Sequence, residues 1–175
     1  LGAATVTFTT TNSAATFAAI TNGTARNMTV STGSGAISLS GNVGTGTALS
    51  AIVLNSTGTT TITGIVNAAS LTTNAGGTTA INSTAITTTG AQAYNDNVTL
   101  GANAALNSGA GTITFAGTLS GAANTLTIQN NGGATGTVTF TRNVTLSGLT
   151  TAANAYAVTM NGGTNTITNA VTFLN

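Results

Sequence analysis

The chain has 175 residues, of which 41% are hydrophobic and 2% charged, a composition that supports one domain with a packed core rather than a disordered segment. Its charged residues are Arg26, Asp96 and Arg142, and His, Cys, Lys and Glu are absent. Acid–base catalysis, catalytic triads, zinc sites and calcium sites need residue types that are missing or too few. We therefore expect a protein that is not an enzyme, binds no metal or cofactor, and lacks the basic stripe of a nucleic-acid-binding protein.

The hydropathy pattern and the chain start bear on location. No stretch approaches the roughly 18 consecutive apolar residues of a membrane span, so membrane insertion is not expected. Leu1 does not open a signal peptide, and we interpret the chain as a mature segment. Because Lys is a residue that most cytosolic surfaces use freely, its absence favours an extracellular or cell-surface location.

The predicted elements are short β-strands in which apolar residues alternate with Thr. A period of two residues is typical of half-buried strands, and Thr, Val, Ile and Phe favour them. In chain order, clear examples are residues 5–8, 49–54, 112–115, 126–128, 137–140 and 157–160. Clusters of Gly and Asn between the strands predict tight corners, because these residues tolerate positive φ. These clusters lie at residues 75–77, 131–133 and 161–163.

One motif recurs along the chain, with an apolar anchor followed four positions later by a second apolar residue. The anchors are Leu39, Ile62, Tyr94, Phe115, Phe140 and Ile167, with Phe17 as a weaker first copy. The second residues are Val43, Val66, Val98, Leu119, Val144 and Val171. The anchors recur every 21 to 32 residues. This period predicts an all-β fold, a right-handed parallel β-helix (β-solenoid) of about seven coils, with both sets of residues stacked inside.

We expect residues 1–175 to form a single β-solenoid domain that is a segment of a larger surface protein or a subunit of a fibre. An antiparallel β-sandwich is the alternative fold, since it would use the same short strands. It is less favoured because a sandwich has no reason to repeat a long motif in register.

The alternating Thr residues are predicted to face outward in a ladder that links neighbouring coils through their hydroxyl groups. The ladder consists of Thr59, Thr61, Thr112, Thr114, Thr137, Thr139, Thr164 and Thr166. A flat, uncharged Thr array on a β-solenoid resembles the faces of ice-binding proteins. Against that interpretation, the ladder is interrupted by Ala36, Ala93 and Ala116.

Two further features have plain structural interpretations. Asp96 and Arg142 each lie two residues after an anchor, in the same predicted column, and both are expected to be ordinary solvated charges. Asn97 and Asn143 head Asn-x-Thr sequences and are candidate glycan acceptors. Equally, their amides are suited to capping a corner by hydrogen bonding to the neighbouring backbone.

The stretch NDNVTLGANAALNSGAGTITFAGTLSGAANTLTIQNNGG, residues 95–133, resembles the Gly-, Ala-, Thr- and Asn-rich repeats of filamentous haemagglutinin-like adhesins and autotransporter passenger domains. The resemblance implies a right-handed β-helix that is secreted or displayed on the bacterial surface as a shaft or adhesive fibre. It also implies a host or surface glycan or protein receptor. The chain departs from these proteins in having no Arg-Gly-Asp tripeptide and no recognisable two-partner secretion domain.

Both chain ends have strand-like patterns without charged or Pro-containing caps, and uncapped strand edges invite pairing. We therefore expect a non-enzymatic structural or adhesive β-solenoid of an extracellular or cell-surface bacterial fibre, which self-associates by stacking its terminal coils. The alternative function is a binding module that uses the outward Thr array for ice or surface polysaccharide. A polysaccharide lyase-like β-helix is disfavoured, because acid, base and metal ligands are missing.

Overall fold

A computed structural model describes residues 4–174, and within them the secondary structure consists of strands. The twenty strands, in chain order, are β1 (Thr5–Thr9), β2 (Ala15–Phe17), β3 (Ile20–Asn22), β4 (Asn27–Ser31), β5 (Ile37–Leu39), β6 (Val43–Gly46), β7 (Leu49–Asn55), β8 (Thr59–Ile62), β9 (Val66–Thr73), β10 (Thr78–Ile81), β11 (Ala85–Thr88), β12 (Gln92–Tyr94), β13 (Asn97–Leu100), β14 (Ala104–Asn107), β15 (Ile113–Phe115), β16 (Leu119–Ile128), β17 (Val138–Phe140), β18 (Val144–Thr151), β19 (Val158–Met160) and β20 (Thr166–Ile167). This part of the chain has no helix that is long and apolar enough to cross a membrane.

The strands stack in three parallel columns, which we name faces 1, 2 and 3. Face 1 contains β1, β4, β7, the end of β9, β12, β15, β17 and β19. Face 2 contains β2, β5, β8, β10, β13, the starts of β16 and β18, and β20. Face 3 contains β3, β6, the start of β9, β11, β14 and the ends of β16 and β18.

Each of the first seven coils therefore contributes one strand to each face in turn, the eighth contributes strands to faces 1 and 2, and the fold is a β-solenoid of about eight coils. Every strand pairing among the described residues is parallel, so the predicted β-solenoid is confirmed and the antiparallel sandwich is wrong. The right-handed sense stays a prediction.

The sequence motif predicts about seven coils because it misses the fourth. The missed coil, formed by residues 71–88, lies between the anchors Ile62 and Tyr94, which have the widest spacing. On face 2, Ile81 of this coil pairs with Ile62 on one side and with Leu100 on the other. Its neighbours in sequence are Ala80 and Asn82, and the residue four positions later is Ala85, so no second large apolar residue marks it.

The core is a closed column of inward side chains inside the three faces. Its largest members are three buried aromatic rings of face 1, Tyr94, Phe115 and Phe140, which follow one another in register. Adjacent ring centroids are 5.0 and 5.1 Å apart, and the rings are tilted by only 16° and 9°. Stacked rings at this distance stabilise a core beyond their area burial, so this column ties coils five to seven together.

Glycines occupy corners where one coil passes directly over another. A Cβ atom added to Gly41 would lie 1.2 Å from the carbonyl oxygen of Ala18, and one added to Gly136 would lie 1.4 Å from that of Gly111. No side chain fits at such a distance, so these two corners require glycine.

Candidate binding surfaces

The predicted core residues are mostly buried, but they belong to several columns. Of the twelve, all are buried except Ile167 and Val171, which are half-buried in the last coil. Leu39 pairs with Ile62 on face 2, whereas the Tyr94, Phe115 and Phe140 column lies on face 1.

The second residues divide in the same way. Val43 pairs with Val66 on face 3, while Val98, Leu119 and Val144 follow one another on face 2. This corrects the single repeating column of the sequence motif. The motif moves from face 2 to face 1 after Ile62 and returns to face 2 at Ile167, which pairs with Leu146, because strands of all three faces share the same alternation and the same short corners.

The outward Thr ladder also divides between two faces. Thr112, Thr114, Thr137 and Thr139 lie on face 1, where Thr114 pairs with Thr139. Thr59, Thr61, Thr164 and Thr166 belong to face 2, where Thr59 and Thr78 are joined by a hydrogen bond of 3.2 Å between their hydroxyl groups. All eight side chains are exposed or half-exposed.

Face 2 carries the most regular outward array, which we name the hydroxyl row. Its members pair in register from the first coil to the last: Thr16, Ser38, Thr61, Ala80, Thr99, Ser120, Thr145 and Thr166. Seven of these eight residues carry a hydroxyl group. With neighbouring strands about 4.8 Å apart, the row extends over about 34 Å. Ala93 and Ala116 do not interrupt it, because Ala93 pairs with Thr114 on face 1 and Ala116 follows that strand.

Beside the hydroxyl row, Asn97 and Asn143 tie consecutive coils together. The Oδ1 atom of Asn97 accepts hydrogen bonds from the backbone N–H and the hydroxyl of Thr118, at 2.9 and 3.1 Å. The Oδ1 atom of Asn143 accepts one from the backbone N–H of Thr164 at 3.1 Å. These are the corner bonds that the sequence suggests for both residues. Whether either carries a glycan stays a prediction.

A groove at the corner between faces 1 and 2 contains one of the two cations. This groove, which we name the Arg142 groove, has a volume of about 270 Å³. Its lining residues come from three successive coils and are Thr118, Thr141, Arg142, Asn143, Asn161, Gly162 and Gly163. Arg142 is exposed, as predicted.

Asp96, in contrast, is buried, and the expectation that it is a solvated charge is wrong. Its side chain is 2% exposed. One carboxylate oxygen accepts a hydrogen bond from the backbone N–H of Gly77 at 2.8 Å, and the other accepts one from the Thr79 hydroxyl at 3.2 Å. Asp96 lies past the end of β12, so strand alternation does not decide its direction: Arg142, two residues past Phe140, is exposed.

Gln92 and Tyr94 form a second buried polar cluster. The Nε2 group of Gln92 contacts the carbonyl oxygens of Ile86 and Asn107 at 3.2 and 2.8 Å and the Thr88 hydroxyl at 3.2 Å. The Tyr94 hydroxyl donates to Oε1 of Gln92 at 3.0 Å. Burial raises the pKa of the Tyr94 hydroxyl well above its ordinary value, because the charged form would lose its hydration. Sequence reasoning did not identify Gln92, although it lies two positions before an inward anchor.

Within residues 4–174, no three His, Cys, Asp or Glu residues are grouped so that they could hold a metal ion. The candidate surfaces are therefore the hydroxyl row and the Arg142 groove, both uncharged except for one guanidinium. In comparisons with known proteins, no family model, no curated protein and no solved structure matches this chain.

Proposed function

We propose that this chain is a non-enzymatic structural segment of an extracellular or cell-surface bacterial fibre. It acts as a rod whose end strands are continued by further coils, including those of a second copy. The observation that carries the proposal is the unpaired outer edge of the first and last described coils. The bacterial surface location and the link to haemagglutinin-like adhesins rest on the sequence resemblance and are part of the proposal.

The first coil presents free backbone groups along its outer edge. Within the described residues, β1 pairs only with β4. The backbone N–H of Thr10 bonds to Ser31, and the carbonyl of Ala4 accepts from Asn27. Because alternate residues of a parallel strand bond to opposite neighbours, the even-numbered residues of β1 bond to β4. Thr5, Thr7 and Thr9 therefore direct their N–H and C=O groups to the open edge.

The last coil also has an unpaired outer edge. The backbone N–H of Asn161 donates to the carbonyl of Phe140. The odd-numbered residues in and next to β19 therefore hydrogen bond to β17, and the even-numbered ones do not. Val158 and Met160 thus direct their backbone N–H and C=O groups toward the open edge of the last coil. Their side chains are half-buried, as are those of Phe8 and Phe17 at the other end. A further coil would cover these apolar surfaces and pair these edges at once, which favours stacking.

The proposal is tested on the 175-residue chain by sedimentation velocity and negative-stain electron microscopy over a wide range of protein concentration. We expect rods longer than one molecule that lengthen with concentration. Thr7→Pro removes an N–H from the open edge without removing a bond to β4, and we expect it to reduce association. Thr7→Val, which keeps that N–H, is the matched control. A chain that stays monomeric throughout, or a Thr7→Pro variant that associates like wild type, would contradict the proposal.

A second candidate function is binding to ice or neutral surface polysaccharide through the hydroxyl row. The supporting observation is the register of seven hydroxyl-bearing residues on one uncharged face. The test measures thermal hysteresis, ice recrystallisation and polysaccharide binding for the wild type and for Thr99→Lys, which places a charge within the row. Thr139→Lys makes the same change on face 1 and should leave binding intact. If the wild type shows none of the three activities, this candidate fails.

A further inference from the structure

The Arg142 groove holds a guanidinium that no other described residue engages. Arg142 is exposed and makes no hydrogen bond or ion pair within residues 4–174. The chain has a single carboxylate side chain, that of Asp96, and it is buried with hydrogen bonds to Gly77 and Thr79. The N–H groups of Arg142 are therefore available to a ligand, with no internal carboxylate competing for them.

The side chains around Arg142 add uncharged donors and acceptors in fixed positions. Because Oδ1 of Asn143 accepts from the backbone N–H of Thr164, the amide is oriented and its Nδ2 group stays unengaged by described residues. Thr118 donates its hydroxyl proton to Asn97, so its oxygen lone pairs can still accept. The side chain of Asn161 makes no hydrogen bond within the described part of the chain.

This combination excludes several classes of ligand. Nucleic acid binding depends on neutralising several phosphates, and this groove supplies a single cation. A peptide partner would use aromatic or aliphatic anchors in an apolar pocket, whereas the lining consists of Thr, Asn, Gly and Arg. At about 270 Å³, the groove is at the small end of ligand sites, which suits one unit of a chain lying across it.

We propose that the Arg142 groove binds a carboxylate-bearing sugar residue of an acidic polysaccharide. The planar guanidinium of Arg142 pairs with the carboxylate through two parallel hydrogen bonds. Asn143, Asn161 and Thr118 contact the sugar hydroxyls. Because the pair is exposed to solvent, a single sugar unit binds weakly, with a Kd of about 1 mM. Several such grooves along one fibre would bind a long polysaccharide more tightly. The groove itself does not depend on the rod proposal.

The test titrates the full chain with a short galacturonate oligosaccharide and follows the backbone amide signals of Gly162 and Gly163 by NMR. We expect shifts at these residues and none with the methyl ester of the same oligosaccharide, which lacks the charge. Arg142→Gln should weaken binding at least tenfold. Arg26→Gln removes the same charge at the other end of the solenoid and should leave binding unchanged. Thermal unfolding of each variant is the control for an intact fold.

A third variant tests the groove without altering its charge. A Cβ atom added at Gly163 meets no atom within 4 Å, so Gly163→Leu is tolerated by the fold and takes up space in the groove. We expect it to weaken binding as Arg142→Gln does. Equal binding by wild type and Arg142→Gln, or equal binding of the acid and its ester, would overturn the proposal. Identical shifts with acetate at the same concentration would also overturn it, since the site would then bind bare anions.

Discussion

Coil five and coil six differ sharply in what they bury at the same positions. On face 1, Gln92 of coil five is paired with Leu71 on one side and Ile113 of coil six on the other. Two residues further along the strand, Tyr94 of coil five pairs in register with Phe115 of coil six. Coil five thus replaces the apolar contacts of coil six with a buried hydrogen-bonded cluster.

The two coils also differ in size. On face 1, Gln92 and Ile113 pair across 21 residues, whereas Ile113 and Val138 pair across 25. Next to Gln92, carbonyl groups of strands β11 and β14 are buried and need hydrogen-bond partners. Gln92 supplies these partners by bonding to Ile86 and Asn107. In coil six the same position is Ile113, and the buried amide of that coil, Gln129, lies instead near its end, where it bonds to Ser108 and Gly136.

The largest effect is expected in the apolar coil. Phe115→Ala removes the middle ring of the three-ring stack and leaves a cavity, which should lower the free energy of unfolding by about 3–5 kcal/mol. Phe115→Leu retains most of the volume and should cost less than about 1.5 kcal/mol. Urea unfolding followed by circular dichroism measures both. Similar losses for the two variants would show that the stack is not tightly packed.

The corresponding change in the polar coil is Gln92→Leu. Leu matches the apolar neighbours of Gln92 on both sides, so packing alone predicts little change. We expect instead a loss exceeding the roughly 1–3 kcal/mol of a single orphaned group, because two carbonyls and the Tyr94 hydroxyl lose their partner. Ile113→Leu, one coil away, is the control and should cost less than about 1.5 kcal/mol. If Gln92→Leu is neutral, the cluster does not stabilise coil five.

A smaller effect is expected for Tyr94→Phe, together with a change in pH dependence. Oε1 of Gln92 loses its donor, which should cost about 1–3 kcal/mol near neutral pH. In the unfolded chain Tyr94 ionises near pH 10, whereas burial raises its pKa in the folded protein. Above about pH 10 the unfolded state therefore binds fewer protons, and stability falls as pH rises. Unfolding curves from pH 8 to about 11 should show a shallower fall for Tyr94→Phe than for wild type. Equal slopes would mean that the hydroxyl is not sequestered.

The smallest effect is expected on the outer surface. Thr99→Val keeps the shape of a hydroxyl-row residue and lies away from both interiors, so stability should change by no more than about 0.5 kcal/mol. The melting temperature by differential scanning calorimetry is the measurement. A larger loss would show that outward hydroxyl contacts, and not only the interior, hold neighbouring coils together.

Individual residues show which features of the fold the sequence predicts correctly. Alternation places Phe115 and Phe140 inside correctly, because side-chain direction in a strand depends only on local backbone geometry. The rule ends with the strand at Tyr94 and does not reach Asp96: two residues past an inward anchor, Asp96 is buried and Arg142 is exposed. The carboxylate is accommodated because Gly77 and Thr79, about one coil away, supply its hydrogen bonds. The Arg142 groove likewise joins residues of three coils, which no local pattern relates.

Local alternation and the recurring motif predict many of the strands, most of the inward residues and the β-solenoid class. These follow from interactions between residues close together in the chain. The strand order is a property of the three-dimensional structure, which separates Leu39 and Ile62 from Tyr94 and Phe115 and places Ile81 in a coil without an obvious motif. Register depends on coil length and on contacts made about 19 to 25 residues apart, whereas the strands of all three faces follow the same local rules.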